Sequence, residues 1–220
     1  IQASTLGLLI QDIEPYEGEE ATVFFPSRDV QIIQQTLSKA QYKQLGVEGI
    51  QYLLEEYLIQ PIDQIKVLSH FQAPDQLTIL GISHNRVLTM QHALTLIPVN
   101  VVALLPDFMV LPTPQSGEMI LANINQSLLV RHDALRGASV DDLELYLEVA
   151  PKATRYVYSD LNDDQAFSLF KVASVEQRES FDYRFESVPK PKSHPFNVLP
   201  KAKSKDSTVS GYWKACIALC

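Results

Sequence analysis

The sequence predicts a mixed α/β chain in which β-hairpins alternate with helices. Two kinds of segment carry this. Short apolar runs come in pairs around turn residues, as in "QIKVLSHFQ" and "QLTILGIS" on either side of "APD" (73–75). Between the pairs lie stretches with apolar residues at helical spacing, some of them opened by capping sequences. The order reads hairpin, helix, hairpin, helix, strand, hairpin, helix, strand, helix, which is not a strict βαβ array. Its recurrence of hairpin then helix predicts two related lobes, over residues 1–98 and 99–188.

"STLGLLIQDI" (4–13) has helical spacing after a Ser/Thr start and predicts a short helix. "ATVFFPS" (21–27) is an apolar strand broken by Pro26, and "VQIIQQTL" (30–37) reads as the returning strand of a hairpin bent at "SRD", with a helix as the competing reading because its apolar positions do not alternate cleanly. "SKAQ" (38–41) fits a capping box, and the helix after it runs through Leu58, with Pro61 stopping it. Gly46 and Gly49 weaken its first half by about 1 kcal/mol each relative to Ala. "HNRVLTMQHALTLI" (84–97) is helical, and "VNVVALL" (99–105), polar on neither face, is a strand buried on both. "EMILANI" (118–124) and "SLLVRHDA" (127–134) flank "NQ" as a further hairpin. "SVDD" (139–142) is a second capping box before "DDLELYLEV"; "TRYVYSD" (154–160) is a strand; "NDDQAFSLFKVA" (162–173) is a last helix with acids in its first turn.

The chain has 220 residues, 46% hydrophobic and 20% charged, ordinary for a globular protein. The net charge of −8 divides unevenly: residues 1–188 carry 12 basic and 25 acidic side chains, net −13, and residues 189–220 carry six Lys and one Asp, net +5. An acidic body repels phosphate backbones, which argues against nucleic acid as a partner and favours a basic patch on a protein. The two cysteines, Cys216 and Cys220, fall in the last five residues, so the body is no disulfide scaffold.

Three chemistries lack their residues. Phosphate cradles need glycine, and neither G-x-x-x-x-G-K-[ST] nor G-x-G-x-x-G occurs. The turn around Asn123, Asn125, Gln126 and Ser127, where a nucleotide loop would sit, has no Gly and no acid. His70, His84, His92, His132 and His194 are scattered outside any metal spacing and read as surface or hydrogen-bonded histidines. No G-x-S-x-G nucleophile occurs, and the pairs Glu55–Glu56, Asp141–Asp142 and Asp163–Asp164 read as solvated helix turns. No catalytic, metal or cofactor-binding residue is singled out.

Two stretches remain. In "ALLPDFMVLP" (103–112) Asp107 stands between apolar segments and between Pro106 and Pro112. Proline fixes φ and Asp bonds neighbouring backbone N–H groups, so the pair reads as a turn and hinge between lobes. The basic tail interleaves Lys190, Lys192, Lys201, Lys203 and Lys205 with prolines, and Tyr212, Trp213 and "KACIALC" follow. Basic residues, then aromatics, then rising hydrophobicity is the order on the cytoplasmic side of a membrane span. Residues 189–211 are therefore expected to be a juxtamembrane linker and 212–220 the start of a truncated transmembrane helix. The chain begins at Ile1 with no signal-peptide pattern, which suggests truncation at that end too.

"VVALLPDFMVLP" resembles the Pro-Asp-x-x-x-Leu-Pro signature of the bacterial type II secretion system protein L family. Other residues match in order: "TVFFPSRDV", the Leu-Leu-Glu-Glu of "QYLLEEYL", "LLVR" with Arg131, "ALRG" with Gly137, and "FNVLP" near the tail. Gly49 and "NINQS" depart from the pattern. The resemblance implies an actin-like, RNase H-type fold facing the cytoplasm from the inner membrane. It implies a non-catalytic platform component without cofactors, which recruits the secretion ATPase (protein E), pairs with protein M and other platform proteins in the full-length chain, and crosses the membrane through a C-terminal span. A homodimer is compatible with such a platform. The competing readings are a nucleotide-binding actin-like ATPase or kinase, and an actin-like pilus-assembly protein.

Overall fold

The computed structural model describes residues 6–124, 127–171, 175–177 and 188–200. Helix α1 (Leu6–Ile13) and a 3-10 turn lead into β1 (Glu20–Phe25), which pairs in parallel with β5 (Asn100–Pro106). Between these partners lie β2 (Val30–Thr36), α2 (Lys39–Glu55), β3 (Ile65–Gln72), β4 (Gln76–Ser83) and α3 (His84–Leu94). The three inserted strands form an antiparallel sheet in the order β2-β4-β3.

The hairpin expected from residues 21–37 is therefore corrected: both strands form, but β1 pairs with β5 and β2 with β4. The connection explains it. Pro26 and the 3-10 turn Ser27–Asp29 supply no two-residue reversal, so β2 does not fold straight back onto β1. The hairpin of β3 and β4 forms as expected. Helix α2 opens on the expected capping box, with Gln41 N–H donating to Ser38 Oγ (3.2 Å) and Ser38 N–H to Gln41 Oε1 (2.8 Å). It ends at Glu55, short of Leu58, and Gly46 at φ 60° kinks it. Its Leu54 is buried on β4 at Gly81, where a Cβ would lie 2.6 Å from the Leu54 side chain.

The remaining strands, β6 (Glu118–Ile124), β7 (Ser127–Arg131), β8 (Gly137–Val140), β9 (Arg155–Ser159) and β10 (Val175–Gln177), form one sheet in the order β10-β9-β6-β7-β8. Helix α4 (Leu143–Val149) links β8 to β9, and α5 (Asp163–Phe170) follows β9. An antiparallel meander β6-β7-β8 followed by strands added in parallel on the other side of β6 is the RNase H-type arrangement. The sheet is buried on both faces. Met119 and Leu121 pack with Leu143, Leu147 and Leu169, while Ile120 and Ala122 pack with Leu111, Leu129 and Val157.

The capping box expected at "SVDD" is also corrected. Ser139 lies in β8 opposite Leu129, and the cap is Asp142, whose carboxylate accepts from Leu145 N–H at 3.0 Å. Strands β8 and β10, of four and three residues, are too short to show a period and were not expected. Strand β5, placed by the sequence at the start of the second lobe, shares its sheet with β1.

Candidate functional site

The parallel strands β1 and β5 end alike: each runs into a proline, Pro26 or Pro106, and then a 3-10 turn. The two turns are tied together. Ser27 donates its backbone N–H (3.0 Å) and its hydroxyl (2.6 Å) to Asp107 Oδ1, across 80 residues of sequence. Burial raises the Asp107 pKa, and the Ser27 bonds and the Phe108 N–H oppose the rise. Asp107 was expected to serve its own turn; its main partner is the turn at the end of β1.

The residue after it anchors the turn on the large sheet. Phe108 is fully buried against Gly137 at the start of β8. A Cβ on Gly137 would lie 2.3 Å from two atoms of the Phe108 ring and 2.5 Å from Val130 O, so only glycine permits this approach. Arg131, at the end of β7, is buried and clasps the same segment from below. Its guanidinium donates to Met109 O (3.4 Å) and Leu111 O on one side, and to Asp133 O (3.0 Å) and Ala134 O (3.1 Å) on the other. The planar fork of arginine suits bonding several carbonyls at once. Pro112 closes the connection after buried Leu111. Pro106, Asp107, Arg131 and Gly137, scattered in sequence, thus meet at one junction between the sheets.

The segment 188–200 straps across this junction. Phe196 and Val198 are fully buried in the core that also holds Phe25, Leu80, Leu104, Met109 and Leu135. Asn197 imitates a strand partner of β5: its Oδ1 accepts from Leu104 N–H (3.0 Å), its Nδ2 donates to Val102 O (3.2 Å), and Val198 N–H donates to Leu104 O (3.1 Å). Lys66 of β3 donates to Val198 O at 2.7 Å, and burial lowers its pKa. Lys192 pairs with Glu20 at the start of β1. One short segment therefore holds β1, β5 and the inserted sheet together. His194, half-buried within the same segment, has its pKa lowered to about 4 by desolvation, with Arg131 and His70 adding positive field.

The residues around "NINQS" are engaged structurally. Asn123 donates to Asp160 O (2.9 Å) and Gln165 Oε1 (2.7 Å), and Ser127 Oγ accepts from Arg28 at 3.4 Å. Burial lowers the pKa of His132 to about 4, and the ring bonds the Tyr146 hydroxyl. Among the described residues, no three His, Cys, Asp or Glu side chains come together where they could hold a metal ion. No helix among them is long and apolar enough to cross a membrane. Lys201, Lys203, Lys205, Tyr212 and Trp213, the membrane-proximal candidates, lie outside the described residues, as do Asn125 and Gln126.

Sequence reasoning missed Ser27, Phe108 and the strapping role of Asn197. One signal was available: "FFPS" and "LLPD" share the pattern of two apolar residues, proline, then a polar residue, which is how paired strand ends read.

Comparison with known proteins agrees with the topology. The cytoplasmic domain of EpsL, an inner-membrane component of the type II secretion system of Vibrio cholerae, superposes with a TM-score of 0.58 at 17% identity, over 80% of this chain and 73% of that one. A chain of the PilM–PilN type IV pilus biogenesis complex superposes with a TM-score of 0.55 at 11% identity, over 88% and 83%. At these identities the likeness establishes the fold, which is actin-like. Curated protein sequences give no match. The family model for type II secretion system (T2SS), protein L, matches residues 3–207, nearly the whole chain, and the chain belongs to that family.

Proposed function

We propose that this chain is the cytoplasmic, non-catalytic adaptor of a type II secretion platform, recruiting the secretion ATPase (protein E) and coupling it to the inner membrane. The observation that carries the reading is the strap. The segment that leads toward the basic tail is built into the core and bonds three separate elements, so a pull on the tail reaches β5, β1 and the inserted sheet together. The junction supports a mechanical part rather than a chemical one, since Asp107 and Arg131 spend their bonds on Ser27 and on backbone carbonyls. The lobes are taken as residues 1–98 and 99–188, followed by a juxtamembrane linker over 189–211 and the start of a span at 212. In the full-length chain that span would bring protein M and the other platform proteins into contact.

The test is fractionation of cells carrying the full-length protein. The secretion ATPase is expected to sediment with the inner membrane. It is expected to move to the soluble fraction when the cytoplasmic portion is deleted and the rest of the platform is retained. An ATPase that stays on the membrane without this portion would contradict recruitment.

A further inference from the structure

We infer that the outer face of α4 and α5 is a docking surface for a partner helix bearing an apolar ridge flanked by lysine or arginine. The two helices lie side by side on the large sheet, and their inner faces are spent on it: Leu143, Leu147 and Leu169 are buried. Yet their outer faces are apolar too. Leu145, Val149, Phe167 and Phe170 are between 56% and 77% exposed, although Phe170 meets Tyr158 edge-on and Phe167 carries the Lys171 ammonium over its ring. A helix apolar on two sides has two things to pack against, and large apolar side chains gathered in one place mark an interaction site where scattered ones do not.

The rim says what kind of partner fits. Asp141, Glu148, Asp163 and Asp164 are exposed on and just before the two helices, in addition to the Glu144 that Lys171 pairs. Its lysines are already engaged. Lys152 donates to Leu147 O at 2.7 Å, while Lys171 pairs with Glu144 at 3.5 Å and sits 4.7 Å over the Phe167 ring. An anionic lipid surface would be repelled by this rim. A second copy meeting it face to face would set acid against acid. A basic amphipathic helix satisfies both features, its ridge lying between α4 and α5 and its flanking charges on the rim. This surface stands independently of the recruitment reading, since it names the chemistry of a partner and not its identity.

The probes are two synthetic helical peptides with leucines at i, i+3, i+4 and i+7, one flanked by lysines and one by glutamates. Each is titrated calorimetrically into the chain, with light scattering on the same samples. The lysine-flanked peptide is expected to bind one to one, at least about tenfold tighter than its counterpart. Leu145→Ser with Phe167→Ser, surface changes whose fold is verified by thermal melting, is expected to weaken it about tenfold or more. Val47→Ser with Tyr52→Ser, an exposed apolar pair on α2, is expected to leave it unchanged. Failure of both peptides to bind, equal affinity for the two, or binding insensitive to the α4–α5 variant would overturn the proposal. So would a dimer that the same variant dissolves, which would place a second copy there.

Discussion

Asp107 and Gly137 make opposite demands on the same turn. Asp107 offers an oxygen that Ser27 uses twice, so Asp107→Ala strands a backbone N–H and a hydroxyl in a buried setting. The expected loss is about 1–3 kcal/mol in chemical denaturation, with Asp107→Asn, which keeps an acceptor, losing less. Equal losses from Ala and Asn would contradict the bonding described. Gly137 offers the absence of a side chain. Gly137→Ala forces its methyl into the Phe108 ring and is expected to cost about 1–3 kcal/mol. Phe108→Leu removes much of that obstruction, so a double-mutant cycle should show the two changes costing less together than the sum of each alone. Additivity would mean that the glycine is there for another reason. The sequence placed Asp107 in a turn because Pro-Asp is local chemistry. It was silent about Ser27 because a bond across 80 residues leaves no local trace.

Elements were legible where their signals are local. The box at Ser38 and Gln41, the hairpin of β3 and β4, and the hairpin of β6 and β7 each depend on residues within a few positions of one another. The pairing of β1 with β5 depends on an insertion of more than 70 residues between them, and β8 is four small or β-branched residues without a period. The strap was legible as "FNVLP" but not as an element, because Asn197 makes its strand-like bonds with a side chain. Asn197→Ala is expected to lower the melting temperature and to speed hydrogen exchange at Leu104 N–H, with α4 and α5 unaffected. Unchanged exchange at Leu104 would show that the side chain is dispensable there. The strap also predicts acid sensitivity. His194 has a folded pKa of about 4 against an ordinary 6.5, so the unfolded chain takes up its proton first and stability falls as pH drops from 6.5 toward 4. His132 adds to the same window. His194→Asn, which retains an acceptor for Phe196 N–H, is expected to flatten the decline in part, as read by thermal melts across that range. A profile identical to the parent chain would contradict the half-buried, neutral histidine.

At the scale of the whole molecule, residues from both regions of the chain converge where the turns after β1 and β5 meet β7, β8 and the strap. A resemblance in the order of short motifs pointed to this family, and the geometry gives a reason for the order, since most of those motifs build the junction. What the sequence left open was where a partner would sit, because exposed apolar residues on α4 and α5 look like any helix face until their inner sides are seen to be filled. The role proposed for the whole chain is to hold the secretion ATPase. The most direct measurement is a calorimetric titration of residues 1–200 with the N-terminal domain of the cognate secretion ATPase. Saturable binding at about micromolar affinity or tighter is expected; no binding by a sample whose cooperative melting shows it to be folded would rule this role out.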